Sequence, residues 1–485
     1  MNYTIPQEII SIIVALKKAG FDGYIVGGSV RDMLLGKRPK DWDIATNALP
    51  EDIQRIFPDS VYENTFGTVG VKTRSNDRSL AVVEVTTFRT EAGYADHRHP
   101  GEVSFAKTIE EDLRRRDFTI NAMALGPDNS LIDPFEGKDD LERKQVRAVG
   151  DPTERFQEDA LRLMRAVRFA SELMFSLEKE TAVSIKKNAD LLEEIAKERI
   201  RDEFVKMIMS DGEGAMLGVI RLEQYGLLRH IMPELRKGIG VAQNKHHTFT
   251  VWEHNLKALD YAAQKGYSLE VRLGALLHDV GKPHTKRGEG ENATFYAHEI
   301  VGARITKKIL ERLHFSKKMI TDVVHLVRHH LFYYNVGEVT EAGVRRFIAR
   351  VGEQYIDDLF KIREADRIGS GVPKAVPYKT RHLRFMIDKV RRDPISPRML
   401  KVDGSDLMSE LSIEPGPRLG KILAVLLEDV LDDPKRNDRA VLLDRAKALL
   451  DKTDAELDEL SSKAKKTTAE YESGIEENIK NKYHV

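Results

Sequence analysis

The chain has 485 residues, of which 41% are hydrophobic and 32% charged, with a net charge of −1 and no cysteine. That length exceeds one core and implies roughly two to four domains of a helix-rich protein, while the absence of cysteine excludes disulfides, thiolate metal sites and cysteine nucleophiles. No apolar run reaches the roughly 18 residues of a membrane span, no secretory leader is visible, and a nucleic-acid partner would have to be met by local patches, so a cytoplasmic protein without a membrane partner is expected.

Residues 5–19 carry apolar positions at helical spacing, and Gly20 ends the run. Tyr24-Ile25-Val26 reads as a buried strand. Gly27 and Gly28 break it, and a helix follows over Ser29 to Gly36. Glycines at such a turn let backbone N–H groups approach a phosphate, where the new helix points its positive end. Asp41-Trp42-Asp43 comes next. Carboxylates two apart on a strand share a face and converge on one point. Taken alone, the glycines are a turn and the aspartates a solvated strand end. In this order, within one short stretch, they suit hard cations and phosphoryl or nucleotidyl transfer.

The stretch resembles the signature of the polymerase-β-like nucleotidyltransferases, and more closely that of class II tRNA nucleotidyltransferases and their poly(A) polymerase relatives. The resemblance implies Asp41 and Asp43 as Mg²⁺ ligands and Gly27, Gly28 and Arg31 as triphosphate contacts.

Further along, Pro50 to Phe57 predicts a short helix. GTVGVK (67–72) and LAVVEVTTF (80–88) predict paired strands, with Glu84 able to stand as a third carboxylate. Residues 89–108 lack periodicity and predict a long loop; the resembled family has a loop here that takes part in switching from C to A addition. Residues 109–125 predict a helix bearing Arg115, Arg116, Asp117 and Asn121. An RRD run is commonly plain helix surface. It also matches the family's RRDxxxNA element, which implies contacts of Arg116 and Asp117 with the incoming nucleotide and includes Asn121.

The pattern then becomes long and helical. In RFQEDALRLMRAVRFA (155–170), Asp159 and Arg162 fall three apart, as on one helix face. A surface ion pair there is worth little. The pair also has a sharper use: an acceptor-only Asp and a donor-only Arg match the amine and ring nitrogen shared by cytosine and adenine, and mismatch uracil and guanine. The resemblance assigns this role to EDxxR, which Glu158 opens. Arg165 and Arg168 on the same helix are further expected nucleotide contacts. ERIRDEF (198–204) reads as structural support, with Ile200, Phe204 and Ile208 as a core stripe.

Ten of the fifteen histidines lie between residues 246 and 330. His278-Asp279, followed by Gly281-Lys282, resembles the HD phosphohydrolase superfamily. The resemblance implies His254, His278, Asp279 and Asp366 as ligands, with His298 and His329 or His330 for a second metal. That donor set suits Mn, Fe, Ni or Zn, or Mg with more oxygen. Residues 399–424 resemble the C-terminal segment of HD-bearing nucleotidyltransferases; GSDLM and PGPRLGKIL read as helix starts whose cations either meet tRNA or solvate a helical pair. Residues 451–485 predict a frayed or disordered tail.

The expected fold class is α+β: a small mixed-sheet nucleotidyltransferase head (1–150), a helical neck (151–238), an HD domain (239–398), a C-terminal helical region (399–450) and the tail (451–485). The expected activity is addition of CCA to the tRNA 3′ end from CTP and ATP. An enzyme adding only the final A and a poly(A) polymerase share the EDxxR pair. An HD phosphoesterase acting on RNA ends is the alternative of another class.

Overall fold

The computed structural model describes residues 5–62, 67–94, 100–243, 248–332, 334–337, 339–391, 400–432 and 436–460. It divides into two compact units, Met1–Leu331 with Asp358–Pro373 and Phe332–Asp357 with Lys374–Val485. Head, neck and most of the HD region thus share one unit, and residues 374–391 belong with the C-terminal part, ahead of the border expected at 399.

The head opens with α1 (Gln7–Lys18), which buries Ile9, Ile12, Ile13 and Leu16 along one stripe. β1 (Gly23–Val26), α2 (Gly28–Leu34), β2 (Asp43–Thr46) and α3 (Pro50–Ile56) follow, then β3 (Ser60–Tyr62), β4 (Thr68–Lys72) and β5 (Val82–Thr87). β6 (Arg89–Tyr94) and β7 (Pro100–Phe105) pair antiparallel as a separate ribbon. This corrects the expected structureless loop. A ribbon apart from the main sheet is held by backbone bonds and requires neither the apolar run nor the apolar alternation that marks a strand in sequence. Residues 95–99 lie outside the described residues.

α4 (Ile109–Arg114) starts at a capping box, Thr108 with Glu111. It stops at Arg115, and a 3-10 turn over Thr119–Asn121 leads to β8 (Ala124–Leu125) and β9 (Leu131–Ile132). The single helix expected over 109–125 is therefore broken. Buried Asp117 accepts the Phe118 N–H at 2.9 Å, a local bond that competes with helix continuation. The head sheet runs β3-β4-β5-β2-β1-β8-β9, with only β2 and β5 parallel.

α5 (Gly137–Glu142) and β10 (Gln145–Val146) lead to the neck: α6 (Pro152–Glu158), α7 (Leu161–Glu172), β11 (Ser176–Leu177), α8 (Lys179–Lys187), α9 (Lys197–Ile208), α10 (Gly214–Gln224), α11 (Leu228–Ile231) and α12 (Pro233–Arg236). α7 packs on α9 and α10. The HD region is α13 (Val251–Gln264), α14 (Leu269–Leu277), α15 (Lys282–Thr285), α16 (His298–Arg312) and α17 (Lys317–His329). The chain then passes through α18 (Glu341–Val351) of the second unit and returns as α19 (Ile356–Gly369).

The second unit continues with α20 (Tyr378–Arg391), α21 (Gly404–Leu411), α22 (Pro417–Asp432) and α23 (Arg439–Leu450). Leu407, Ile422, Leu426, Val430, Leu442 and Leu449 form its C-terminal core. Both expected helix starts, at Gly404 and Pro417, are present. Two of their cations serve packing: Arg418 pairs with Asp454 and Lys421 with Asp458. Of the tail, 461–485 lies outside the described residues. Among the described residues no helix is long and apolar enough to cross a membrane.

Candidate active sites

Gly27 ends β1 with φ +71°, a left-handed conformation that side chains resist, and so turns the chain into α2. Ser29, buried at the start of α2, donates its hydroxyl to the Asp41 carbonyl at 3.0 Å and accepts the Asp43 N–H at 3.3 Å. The glycine turn and the two aspartates are thereby stitched together. Asp43 opens β2, and its register partner on parallel β5 is Glu84. Register partners share a face, so Glu84 stands beside Asp43 as the sequence allowed. Asp41 precedes the strand and is exposed.

Burial raises the Asp43 pKa; the Arg116 charge opposes this and the Asp41 charge adds to it. Two crowded carboxylates, one of them half-buried, form an oxygen donor set that fits a hard divalent cation. Arg116 approaches from α4's end: a Cβ on Gly27 would lie 2.9 Å from its guanidinium and 3.6 Å from an Asp43 oxygen. Asp112, 1% exposed, pairs with Arg115 at 2.8 Å and Arg116 at 3.2 Å. The RRD run is thus no plain helix surface.

From Arg31 a chain of polar contacts crosses into the neck. Arg31 donates to Asn121 Oδ1 at 2.8 Å, Asn121 Nδ2 to Asp117 at 3.2 Å, and Arg165 Nε to Asp117 at 2.8 Å. Arg165 lies 3.6 Å from Glu203, and Arg168 donates to Glu203 at 2.7 Å. The Phe169 ring carries Arg31, Arg165 and Arg168 at 5.2, 5.3 and 4.1 Å from its centroid. Burial would raise the Asp117 and Glu203 pKa values, but the arginines (Arg165 and Arg162 for Asp117, Arg168 and Arg165 for Glu203) outweigh it and lower both. Arg168 is buried and paired with Glu203 and Glu172, so it supports this chain from behind.

Asp159 and Arg162 depart from the expected helix face. Asp159 has φ −140° and ψ 104°, an extended residue between α6 and α7. Its side chain accepts the Leu161 N–H at 3.0 Å and pairs with Arg199 of α9 at 2.8 Å. Arg162 pairs with Glu158 and donates to the Arg155 and Arg115 carbonyls, both at 3.1 Å. The helical pattern ran unbroken through a break that Asp159 itself caps. Arg199, Glu203 and Asp112 were missed because each sits among other charges on an amphipathic helix. For Glu203 and Asp112 the signal was a charge on the buried face: Glu203 lies beside Phe204 of the core stripe, and Asp112 beside buried Leu113.

In the HD region, His254 from α13, His278 at the end of α14 and Asp366 from α19 form one cluster, and Asp279, His298 and His330 form another. Asp279 joins them. One carboxylate oxygen lies 3.2 Å from His254 and 3.3 Å from His278; the other lies 3.3 Å from His298 and 3.8 Å from His330. His278, His298 and His330 each donate Nδ1–H to a carbonyl three residues earlier, at 2.8, 2.7 and 2.7 Å. That leaves each Nε2 as a metal donor. His329 is corrected: it lies outside both clusters, its ring centroid 4.5 Å from that of His325 and tilted by 46°. Val323, Leu326 and Val327 mark the buried face of α17, and His330 continues it while His329 follows His325 by one turn.

Small residues bring these helices together. A Cβ on Gly281 would meet the His298 carbonyl at 2.2 Å, and one on Gly369 the His254 carbonyl at 2.9 Å. Burial alone would lower the His254 pKa, but Asp279 and Asp366 raise it to about 9, while burial holds His330 down at about 3. Burial opposes ionisation of Asp279, yet Lys282, at 2.6 Å, and His278 hold it well below the usual carboxylate range. Imidazoles around two ionised carboxylates fit a pair of borderline divalent metals.

The sheet with its glycine turn and carboxylates, followed by a helical neck and an HD cluster, defines a metal-dependent nucleotidyltransferase with an HD domain. Residues 23–147 match the poly A polymerase head domain, 174–238 the probable RNA and SrmB-binding site of polymerase A, and 251–369 the HD domain. A CCA-adding enzyme of Ligilactobacillus salivarius is 34% identical over 457 residues, 92% of this chain and 98% of that one. One from Enterococcus faecalis is 34% identical over 460 residues, 92% and 97% of the two chains. The solved CCA-adding enzyme of Bacillus stearothermophilus, in complex with CTP, shares the fold with a TM-score of 0.60 and 29% identity over 92% of this chain and 99% of that one. The chain belongs to the CCA-adding enzyme family.

Proposed function

We propose that this protein adds C, C and A to the 3′ end of tRNA from CTP and ATP without a nucleic-acid template, in the cytoplasm. The observation that carries the reading is likeness over nearly the whole length of relatives with that activity. The tRNA 3′-hydroxyl oxygen attacks the α-phosphorus, the bond to the β-phosphate oxygen breaks, and pyrophosphate leaves. Mg²⁺ held by Asp41 and Asp43, with Glu84 alongside, supplies Lewis acidity for the attacking and leaving oxygens when bound. Gly27 and Gly28 leave room for the triphosphate, and Arg31 and Arg116 carry charge to meet it. Asp117 and Asn121 position Arg31 and Arg165. Asp159 and Arg162 read the base edge, Asp159 aimed by Arg199 and Arg162 by Glu158. Arg168 and Glu203 brace the array.

Primer extension tests this. With tRNA lacking its end, C, C and then A are added, followed by a stop. One A added only to CC-ended tRNA would reassign it as A-adding, and long A tails as a poly(A) polymerase. No extension with Mg²⁺ present would end the reading.

A second activity belongs to the HD site, where Asp279 is shared by both clusters. We infer a metal-dependent phosphohydrolase with His254, His278, Asp279 and Asp366 at one Mn, Fe, Ni or Zn ion, and His298 and His330 with Asp279 at another. Phosphoester release that is lost in Asp279→Ala and kept in Asp43→Ala is the expected result.

A further inference from the structure

In the second unit, α18 and α20 pack side by side and border a pocket of about 260 Å³. Its walls are aromatic. The Phe332 and Phe347 rings stand 5.3 Å apart, tilted by 51°. Tyr334 also lines it, its hydroxyl bonded to His382 Nδ1. Burial lowers the His382 pKa, so at neutral pH the imidazole accepts and the Tyr334 O–H donates, which fixes the ring. Buried Val344 and Leu383 line the same space. Exposed Arg350 lies at its rim, 5.9 Å from the Phe347 centroid. Beyond the pocket, Tyr378 is 47% exposed and carries Arg381 at 5.8 Å from its centroid.

The charge around it is one-sided. Of the described side chains, α18 carries Arg350, and α20 carries Lys379, Arg381, Arg384 and Lys389 against Asp388. The whole chain is close to neutral. A packed interior leaves few voids larger than a water molecule, so an aromatic pocket of this size is not ordinary core. Rings with guanidinium at the rim suit a flat π-face joined to an anion, which is a nucleobase with its phosphate. An acidic peptide would satisfy the cations but offers no flat ring for Phe332, Tyr334 and Phe347.

We propose that this pocket takes one unstacked nucleobase of the RNA substrate, with the cations of α18 and α20 on the flanking phosphates. The inference rests on RNA being the substrate, as proposed above.

The test uses the full chain. Phe347→Leu keeps bulk and removes the π-face; Phe347→Tyr restores it. The KM for tRNA rises about tenfold in Phe347→Leu and returns in Phe347→Tyr, while the KM for CTP stays fixed. A short single-stranded oligoribonucleotide with one 2-aminopurine is quenched by the unaltered protein and not by Phe347→Leu. Unchanged KM for tRNA and unchanged quenching in Phe347→Leu, with its melting temperature preserved, overturn the proposal. Equal quenching of the free 2-aminopurine ribonucleotide overturns it in favour of a mononucleotide site. Displacement of the oligonucleotide by an acidic peptide, with KM for tRNA unmoved, overturns it in favour of a protein partner. If the unaltered protein extends no tRNA, the functional reading fails separately, and quenching still reports on the pocket.

Discussion

In the head and neck, one set of candidate side chains is held mainly by one another; in the HD region, three of the candidate imidazoles are held by backbone. Arg31, Asn121, Asp117, Arg165, Glu203 and Arg168 form a relay in which each group depends on the next. His278, His298 and His330 are each fixed by a carbonyl of their own segment. The relay spans the head and the neck, which belong to one compact unit, so a change in one of its groups is felt by the next. Anchored imidazoles give a preformed cage with little freedom, as suits a metal site that does one thing.

Four outcomes would break or sharpen that contrast, the largest first. Asp43→Ala lowers C addition by about 10³-fold or more, beyond the loss of a single preorganised donor, and leaves HD metal content intact by elemental analysis. If metal content falls as well, the two sites are not independent.

Glu203→Ala leaves buried Arg168 without its main partner and costs about 3 kcal/mol of stability, read from the denaturant midpoint. The same group gives a pH test. Glu203 and Asp117 titrate below their ordinary values, so their stabilisation is complete above the unfolded carboxylate range near about 4 and is lost as pH falls through the lowered values. Glu203→Gln therefore has a shallower acid limb in stability against pH. An identical limb would mean that the relay carries no net stabilisation.

Asp279→Asn weakens metal binding by about 100-fold, measured by competition with a chelator, and spares C addition. Loss from only one of two bound ions would deny Asp279 its bridging place. Arg199→Leu frees Asp159 and lowers kcat/KM for CTP and ATP by about tenfold, with stability little changed. An unaltered kcat/KM would mean that Asp159 is set by its own turn alone.

Much of this was legible. The glycine turn, the paired aspartates and the strand carrying Glu84 sit close in sequence, and local chemistry fixes them. The six candidate HD ligands fall within about a turn of helix ends that apolar periodicity marks, and His330 over His329 was readable from the phase of α17. Other features were not. The break at Asp159 hides because every residue around it suits a helix, and only a capping bond to Leu161 and an ion pair to Arg199 decide against one. The ribbon of β6 and β7 hides because its pairing needs backbone, not side-chain pattern.

The sequence by itself determined most of the element types, the family resemblance, and which carboxylates and imidazoles are available. Tertiary structure decided their partners. Charged residues on α7 and α9 look alike as solvated faces, and only packing one helix against the other makes Glu203 a buried counter-ion and Arg199 the mate of Asp159. Likewise, Gly281 and Gly369 matter through the helix they admit, and no local propensity records that approach. Partner choice is a long-range property: it depends on which desolvated charges meet, and a single strand of sequence carries only half of each pair.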